Sequence, residues 1–321
     1  MTTGSAAATG QDCWNSVLLP GIRKQTVLQR KRFRLSLLDF IVLAGLVLLT
    51  GYIASRLGAS FNYRWHWAVI GNYLLFFDGA SGNWKCGILL QGLFITVKLS
   101  IWGMVLAAVL GLVVGIFAIS RRLFFRLCAR TYVELIRNVP ALVLVFIFYF
   151  FVSDQIMPWL HIDSLGNALS PAANRVFTVL FSQPRMFTQF LSGVITLGLF
   201  QGAYIAEIVR AGIQSIDRGQ WESSAALGLT RMQQMRHIIL PQAVRNVLPP
   251  LANEFINTIK YSSIVSVISI QELTFQGMQV MASTQVTIEV WLTVTAMYLA
   301  LCLALSLALS GLERKMAQSG A

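Results

Sequence analysis

Charge is what this chain has least of. Only 12% of its 321 residues are Asp, Glu, Lys or Arg, where a soluble domain carries about 25%, and the mean hydropathy is +0.66. That excludes an ordinary soluble domain of this length. Cysteine is also scarce: Cys13, Cys86, Cys128 and Cys302 stand far apart with no CxxC, so neither a disulfide framework nor a cysteine metal site is expected. The histidines, His66, His161 and His237, are equally dispersed and no HExxH occurs, so no zinc or other metal site is expected. A GxxxxGK stretch followed by Ser or Thr is missing too, which leaves the chain no loop of its own to cradle nucleotide phosphates.

What is present instead is a set of long apolar runs. A helix needs roughly 20 apolar residues to cross a bilayer, and Val290 to Leu312 supplies such a run without one charge. The pattern places spans near Leu37 to Ser55, Ile88 to Ile119, Tyr132 to Val152, Phe187 to Val209, Val247 to Ile270 and Val290 to Leu312. The expected fold is an all-α integral membrane protein of about six transmembrane helices, not a barrel, with both termini on one side.

The net charge of +12 would suit nucleic acid, but the 25 Lys and Arg are placed as membrane flanks. Arg23, Lys24 and the cluster from Arg30 to Arg34 precede the first span. Arg121, Arg122, Arg126 and Arg130 follow the second, Arg210 through Arg245 flank the fourth and fifth, and Arg314 and Lys315 follow the last. The opposite side holds only Arg56, Arg64, Lys85, Arg175 and Arg185. By the positive-inside rule the basic side, with both termini, is cytoplasmic, and no nucleic-acid partner is expected.

This divides the chain into a polar basic tail at 1–36, an additional first helix with its outer loop at 37–87, a transmembrane domain at 88–315 containing a cytoplasmic hairpin at 213–243, and a short tail at 316–321. A cleavable signal peptide is not expected, because the first apolar run follows a long polar stretch and is long enough to span.

Within the spans, Gly103, Ala107, Gly111 and Gly115 recur every fourth residue, and Gly198, Gly202 and Ala206 repeat the device. Small residues on one face let a second helix approach closely, either within the subunit or at an interface between subunits. Asn246, Pro250, Asn253, Asn257 and Lys260 form a polar stripe on the fifth span, which reads as a pathway lining or as a buried structural network. Pro249 and Pro250 are expected near the start of that helix, where a missing backbone donor costs little. Lys98, inside the second span, either snorkels to the outer interface or serves function. Glu134 with Arg137, and Glu207 with Arg210, are spaced to meet across a helical turn. Exposed pairs contribute under about 1 kcal/mol, so these read as fixing a local geometry and not the fold.

Gly219 to Ala243 reads as a helical hairpin more polar than its surroundings. Asp217 can cap a first helix, Gly228 can end it in the left-handed conformation, and Thr230 with Gln233 makes a capping box for a second helix that Pro241 interrupts. The second helix would carry Met232, Met235 and Ile239 on one face. The first would expose Ser223, Ser224, Ala225 and Ala226, small side chains that leave the backbone close to the surface. Such a hairpin suits a groove in a partner protein or, with Arg231 and Arg236, the lipid headgroups.

Glu222-Ser223-Ser224, then Gly228, then Ile238-Ile239-Leu240-Pro241 resemble the EAA signature of permease subunits of bacterial ABC importers, with serines in place of its two alanines. The flanks Tyr132-Val-Glu134-Leu-Ile-Arg137-Asn-Val-Pro140, Tyr204-Ile-Ala-Glu207-Ile-Val-Arg210 and Lys260-Tyr-Ser-Ser-Ile are similar to polar amino acid permeases of the histidine, glutamine and glutamate type. The likeness extends from about Ile88 to Lys315.

The resemblance implies a type I importer permease core, multi-pass in a bacterial cytoplasmic (inner) membrane, with no catalytic residues. It implies that Gly219, Gln220, Glu222, Ser223, Ser224, Gly228, Leu240 and Pro241 couple the chain to an ATPase, with the pairs Glu134–Arg137 and Glu207–Arg210 in the same region. Asn246, Asn253, Asn257 and Lys260 stand as candidate pathway lining. The implied partners are a dimer of ATP-binding subunits, which hold ATP and Mg so that this chain needs no cofactor, a second permease chain, identical or paralogous, a periplasmic substrate-binding protein, the lipid bilayer and a polar amino acid, glutamate, glutamine or aspartate first. The alternatives are a secondary transporter or channel, which explains the stripe but not the hairpin, and an intramembrane enzyme, for which no nucleophile–base or metal pattern can be picked out.

Overall fold

The computed structural model describes residues 37–60, 65–79, 82–152, 155, 157–160 and 170–318. The basic tail at 1–36 and His161 lie outside these residues. The chain divides into two units, Met1–Arg64 and Trp65–Ala321. In the first, Leu37–Ser60 forms helix α1, and its apolar stretch Phe40–Tyr52 is exposed throughout.

The second unit opens with α2 (Trp67–Leu74) and an antiparallel hairpin of β1 (Leu75–Asp78) and β2 (Asn83–Cys86), with Leu75 opposite Cys86 and Asp78 opposite Asn83. A helix-only reading did not foresee these strands; Lys85 pairs with Asp78 across them. There follow α3 (Ile88–Ala118), α4 (Leu123–Asn138), α5 (Ala141–Phe151), α6 (Met157–Leu160), α7 (Pro171–Leu180), α8 (Phe187–Gln214), α9 (Arg218–Ala226), α10 (Arg231–Gln234), α11 (Leu240–Ser262), α12 (Leu273–Thr284) and α13 (Thr287–Gln318). Among the described residues, 3 helices are long and apolar enough to cross a membrane, Ile88–Ala118, Pro184–Gln214 and Thr287–Gly311, or up to 4 if the bent pair α4–α5 is one span.

The expected span from Tyr132 to Val152 is not one helix. It breaks between Asn138 and Ala141, where α4 and α5 are bent by 118°. Pro140 explains the break: a proline disfavours the helical region for the residue before it, and Val139 is extended at φ −101°, ψ 139°. The fifth expected span also shifts. α11 begins at Leu240, well before Val247, and ends at Ser262, where a 3₁₀ turn over Ser263–Ile268 takes over. Pro249 and Pro250 therefore lie inside α11 and not near its start. Pro241 does not interrupt a helix either; it sits in the first turn of α11, directly after the π turn at Met235–Ile239, and the backbone stays helical through it.

The two small-residue faces meet each other within the chain. Gly103, Ala107, Gly111 and Gly115 of α3 are buried, as are Gly198, Gly202 and Ala206 of α8. A Cβ on Gly111 would lie 2.5 Å from Ile205 Cγ2, and one on Gly198 would lie 2.7 Å from Leu106 Cδ2. Where lipid removes the hydrophobic drive between helices, this close approach is what holds them. The opposite face of α3, from Ile101 through Val105, Val109 and Leu112 to Ile116, is exposed and wholly apolar, as a lipid-facing surface must be.

Beyond the 3₁₀ turn, Glu272 caps α12 from a fully buried position. Its carboxylate accepts from Phe275 N at 2.8 Å, Tyr298 Oη at 2.6 Å and Thr96 Oγ1 at 3.4 Å. Burial outweighs these hydrogen bonds and pushes the carboxyl from its ordinary value near 4.5 up to about 7. A carboxyl raised in the fold contributes stability that is fully present below about 4.5 and is lost as pH rises through about 7. The melting temperature of the purified chain is therefore expected to fall between about pH 5 and pH 8, and Glu272→Gln is expected to flatten that slope. An unchanged slope in the variant would assign the pH dependence to another group.

Candidate functional site

The hairpin forms as its punctuation requires. Asp217 Oδ1 accepts from Gly219 N at 2.6 Å and starts α9. The helix closes with Gly228 N donating to Ala225 O at 3.0 Å, and Gly228 turns the chain at φ 74°. Thr230 and Gln233 then make the reciprocal capping box of α10, with Gln233 N on Thr230 Oγ1 at 3.4 Å and Thr230 N on Gln233 Oε1 at 2.8 Å. Two further contacts lock the angle between the helices. The buried Gln234 donates through Nε2 to Leu229 O at 2.9 Å, and the Arg231 guanidinium lies 5.9 Å over the Trp221 ring.

One surface of this hairpin is open and the other is anchored. Gly219, Gln220, Glu222, Ser223, Ala225, Ala226 and Gly228 are exposed, and so are Leu240 and Pro241. Ser224 is not: it is buried, with its hydroxyl donating back to Trp221 O of the same helix at 2.9 Å. Ile239 is fully buried in a cluster with Ala107 of α3, Ile205, Val209 and Ile213 of α8, and Ala243 and Val247 of α11. Met232 does not share that face; it is 76% exposed, as is Leu227 on the other side of Gly228. The separation arises because Met235–Ile239 is a π-helical turn, which adds a residue and rotates the helix beyond it.

The charged pairs are rearranged. Arg210 Nε donates to Glu207 Oε2 at 2.9 Å, the expected pairing, and Arg210 Nη1 reaches Gln214 Oε1 at 2.7 Å. Arg137, however, lies 3.9 Å from Glu207 Oε1, while Glu134 accepts from Asn138 Nδ2 at 2.9 Å. Glu207 thus links α4 to α8, and Glu134 serves its own helix end. All are partly exposed, so the link orients more than it stabilises.

On the polar stripe, Asn246, Asn253 and Lys260 are exposed on the single chain, and Asn257 is half-buried. Asn246 Nδ2 donates to Ser215 Oγ at 3.0 Å and Asn257 Nδ2 to Glu254 Oε2 at 3.3 Å. The buried polar centre is one step around the helix, and spacing along the sequence did not mark it. Gln201, fully buried on α8, donates through Nε2 to Glu254 Oε1 at 3.0 Å and to Thr258 Oγ1 at 2.8 Å, both on α11. A signal was nonetheless there: Glu254 is an acid within an apolar stretch, four residues from Thr258 and next to Asn253. Among the described residues no group of three or more His, Cys, Asp and Glu could hold a metal ion.

A bent helix pair, a capped hairpin between α8 and α11 and a buried polar seam joining those two helices point to a membrane permease. Residues 107–318 match the model of the binding-protein-dependent transport system inner membrane component family. The chain is 33% identical over 248 residues to the probable glutamine ABC transporter permease protein GlnM of Bacillus subtilis (strain 168), covering 77% of this chain and 99% of that protein. It is 35% identical over 223 residues to the glutamine transport system permease protein GlnP of Escherichia coli (strain K12), covering 68% of this chain and 90% of that protein. Among solved structures, an amino acid ABC transporter crystallised with histidines aligns at TM-score 0.57 and 33% identity, over 71% of this chain and 94% of that one. The inward-facing MetNI methionine ABC transporter aligns at TM-score 0.54 and 19% identity over 71% of this chain and 95% of that one, which shows the fold. The chain belongs to the binding-protein-dependent transport system inner membrane component family, as a polar amino acid ABC permease subunit, and its part is transport, not catalysis.

Proposed function

We propose that this chain imports a polar amino acid, glutamine or glutamate first, by alternating access driven through its hairpin by a separate ATPase. The observation that carries the reading is the hairpin's two-sidedness: small exposed side chains beside a Gly228 turn on one surface, and Ile239 sealed against α3 and α8 on the other. Such a body offers a seat to a partner and is mechanically joined to the spans.

In this reading Gly219, Gln220, Glu222, Ser223 and Leu240 lie on the docking surface. Ser224, Gly228 and Pro241 hold its shape, and Glu207 with Arg137 and Arg210 keeps α4 in register with α8. Closure of an ATPase dimer holding ATP and Mg would drive two hairpins together and rock the spans. Asn253, Asn257 and Lys260 line the path, with Asn246 at its hairpin end, and a second permease chain, identical or paralogous, closes their exposed side. A periplasmic substrate-binding protein supplies the amino acid to the outer side. Glutamine is favoured because the compared relatives are named for it. The chain would reside in a bacterial inner membrane with about six spans and both termini cytoplasmic, as the distribution of Lys and Arg supports. The domains would run as 1–36, 37–87, 88–315 and 316–321.

The test is a mild-detergent pull-down of the tagged full chain from its host, with mass spectrometry of what is retained. An ATPase subunit is the expected finding, and a second permease would settle the pairing. A chain that purifies alone under several gentle conditions would favour a secondary transporter, and the hairpin would then belong on the lipid headgroups.

A further inference from the structure

Lys98 stands on the wall of a cleft of about 380 Å³ that no hairpin residue lines. The cleft lies between the first half of α3, the end of α7, the start of α8 and the segment leading into α12. Lys98 Nζ donates to Thr178 O of α7 at 2.7 Å. Among the described residues no Asp or Glu lines the cleft, and none lies within ion-pair reach of Lys98. An ammonium carries three donors, and among the described residues this half-buried one has a single neutral acceptor and no counter-charge.

The rest of the lining is mixed in a specific way. Gln183, Gln189, Gln271 and Gln276 line the same cleft, as does Gln91, whose Nε2 donates to Cys86 O at 2.8 Å, and the buried ring of Phe190 supplies an apolar wall. The volume falls within the range of small-molecule sites, about 300–1,000 Å³. We propose that this cleft receives the transported amino acid before it enters the pathway, with the substrate carboxylate on Lys98 and an amide or acid side chain among the glutamines. The inference rests on the amino acid importer reading. A carboxylate supplies the charge that Lys98 lacks, and side-chain amides both donate and accept, which suits glutamine and glutamate alike. With a cation and no acid among the described lining residues, a second positive charge on the substrate is disfavoured, so lysine and arginine are selected against. Lys98 precedes the segment matched by the family model, which begins at residue 107.

The experiment uses the full chain with its co-purifying subunits in nanodiscs, and radiolabelled L-glutamine, L-glutamate and L-lysine as probes. Saturable binding of glutamine and glutamate but not lysine is expected. Lys98→Met should weaken both by about tenfold or more, the effect of removing a charged hydrogen bond, and Lys98→Arg should restore most of it. Wild-type binding by a folded Lys98→Met variant, or no saturable binding by the wild type, overturns the inference. If Lys98→Met fails to fold, Gln189→Ala, an exposed position on the same wall, takes its place, and unchanged affinity there overturns it equally. ATP-driven uptake in vesicles separates this from the wider reading. A Lys98→Met complex that imports glutamine with an unchanged KM removes the cleft and leaves the importer, whereas a wild type with no ATP-driven uptake removes the importer.

Discussion

Gly228→Pro is expected to leave the chain in the membrane and to abolish ATP-driven uptake. Gly228 turns the hairpin at φ 74°, a value proline cannot adopt because its ring holds φ near −65°. The substitution also removes the N–H that bonds Ala225 O at 3.0 Å. The combined penalty is on the order of 3 kcal/mol, small beside the stability of the packed spans but decisive for a turn that holds two short helices at one angle. The relaxed hairpin would present α9 in another direction and lose its partner. Gly228→Asn, which tolerates the left-handed region, should keep most of the activity. Uptake and ATP hydrolysis measured on the same preparations decide it: unchanged transport in the proline variant would remove the coupling role from this hairpin.

Replacing Glu254 with Leu is expected to cut transport by about tenfold or more while membrane insertion persists. Gln201 is fully buried, and its Nε2 has Glu254 Oε1 and Thr258 Oγ1 as acceptors. Removing the carboxylate strands part of a buried amide, a cost of about 1–3 kcal/mol, and frees Asn257, which bonds the other carboxylate oxygen at 3.3 Å. Asn257→Leu leaves the Gln201–Glu254 bond intact and so separates the two roles of this seam. Loss of uptake in Asn257→Leu with an unshifted melting temperature marks a pathway residue; normal uptake marks Asn257 as part of a structural network.

Much of the architecture was legible in the chain itself, for reasons that differ by element. The hairpin was legible because each of its turns rests on local chemistry, an Asp cap, a left-handed Gly and a Thr–Gln box, which acts over a few residues and needs no tertiary partner. Close helix packing at the small-residue faces of α3 and α8 was legible from their spacing, but whether the partner lay in the same chain was left open, and it is the fold that sets the two faces against each other. The bend at Pro140 was passed over because hydropathy averages across it, although the proline that pushes Val139 out of the helical region stood in the sequence. Gln201 and Glu254 were passed over because their partnership crosses two helices, 53 positions apart, and no periodicity along either one announces it. The pairing of Arg137 with Glu207 has the same origin: spacing proposes a neighbour on the same helix, and only the bundle offers a better one.

The π turn at Met235–Ile239 also sets how the hairpin is joined to α11. From Arg231 to Ser262 the backbone stays helical, so the hairpin's second arm and the seam-bearing helix α11 are one shaft. The added residue in that turn slips the phase of the shaft by about 100°. Met232 and Ile239 therefore lie on different faces of that shaft, one open and one sealed, so the surface presented at the tip and the surface that anchors it are out of phase by one residue's turn.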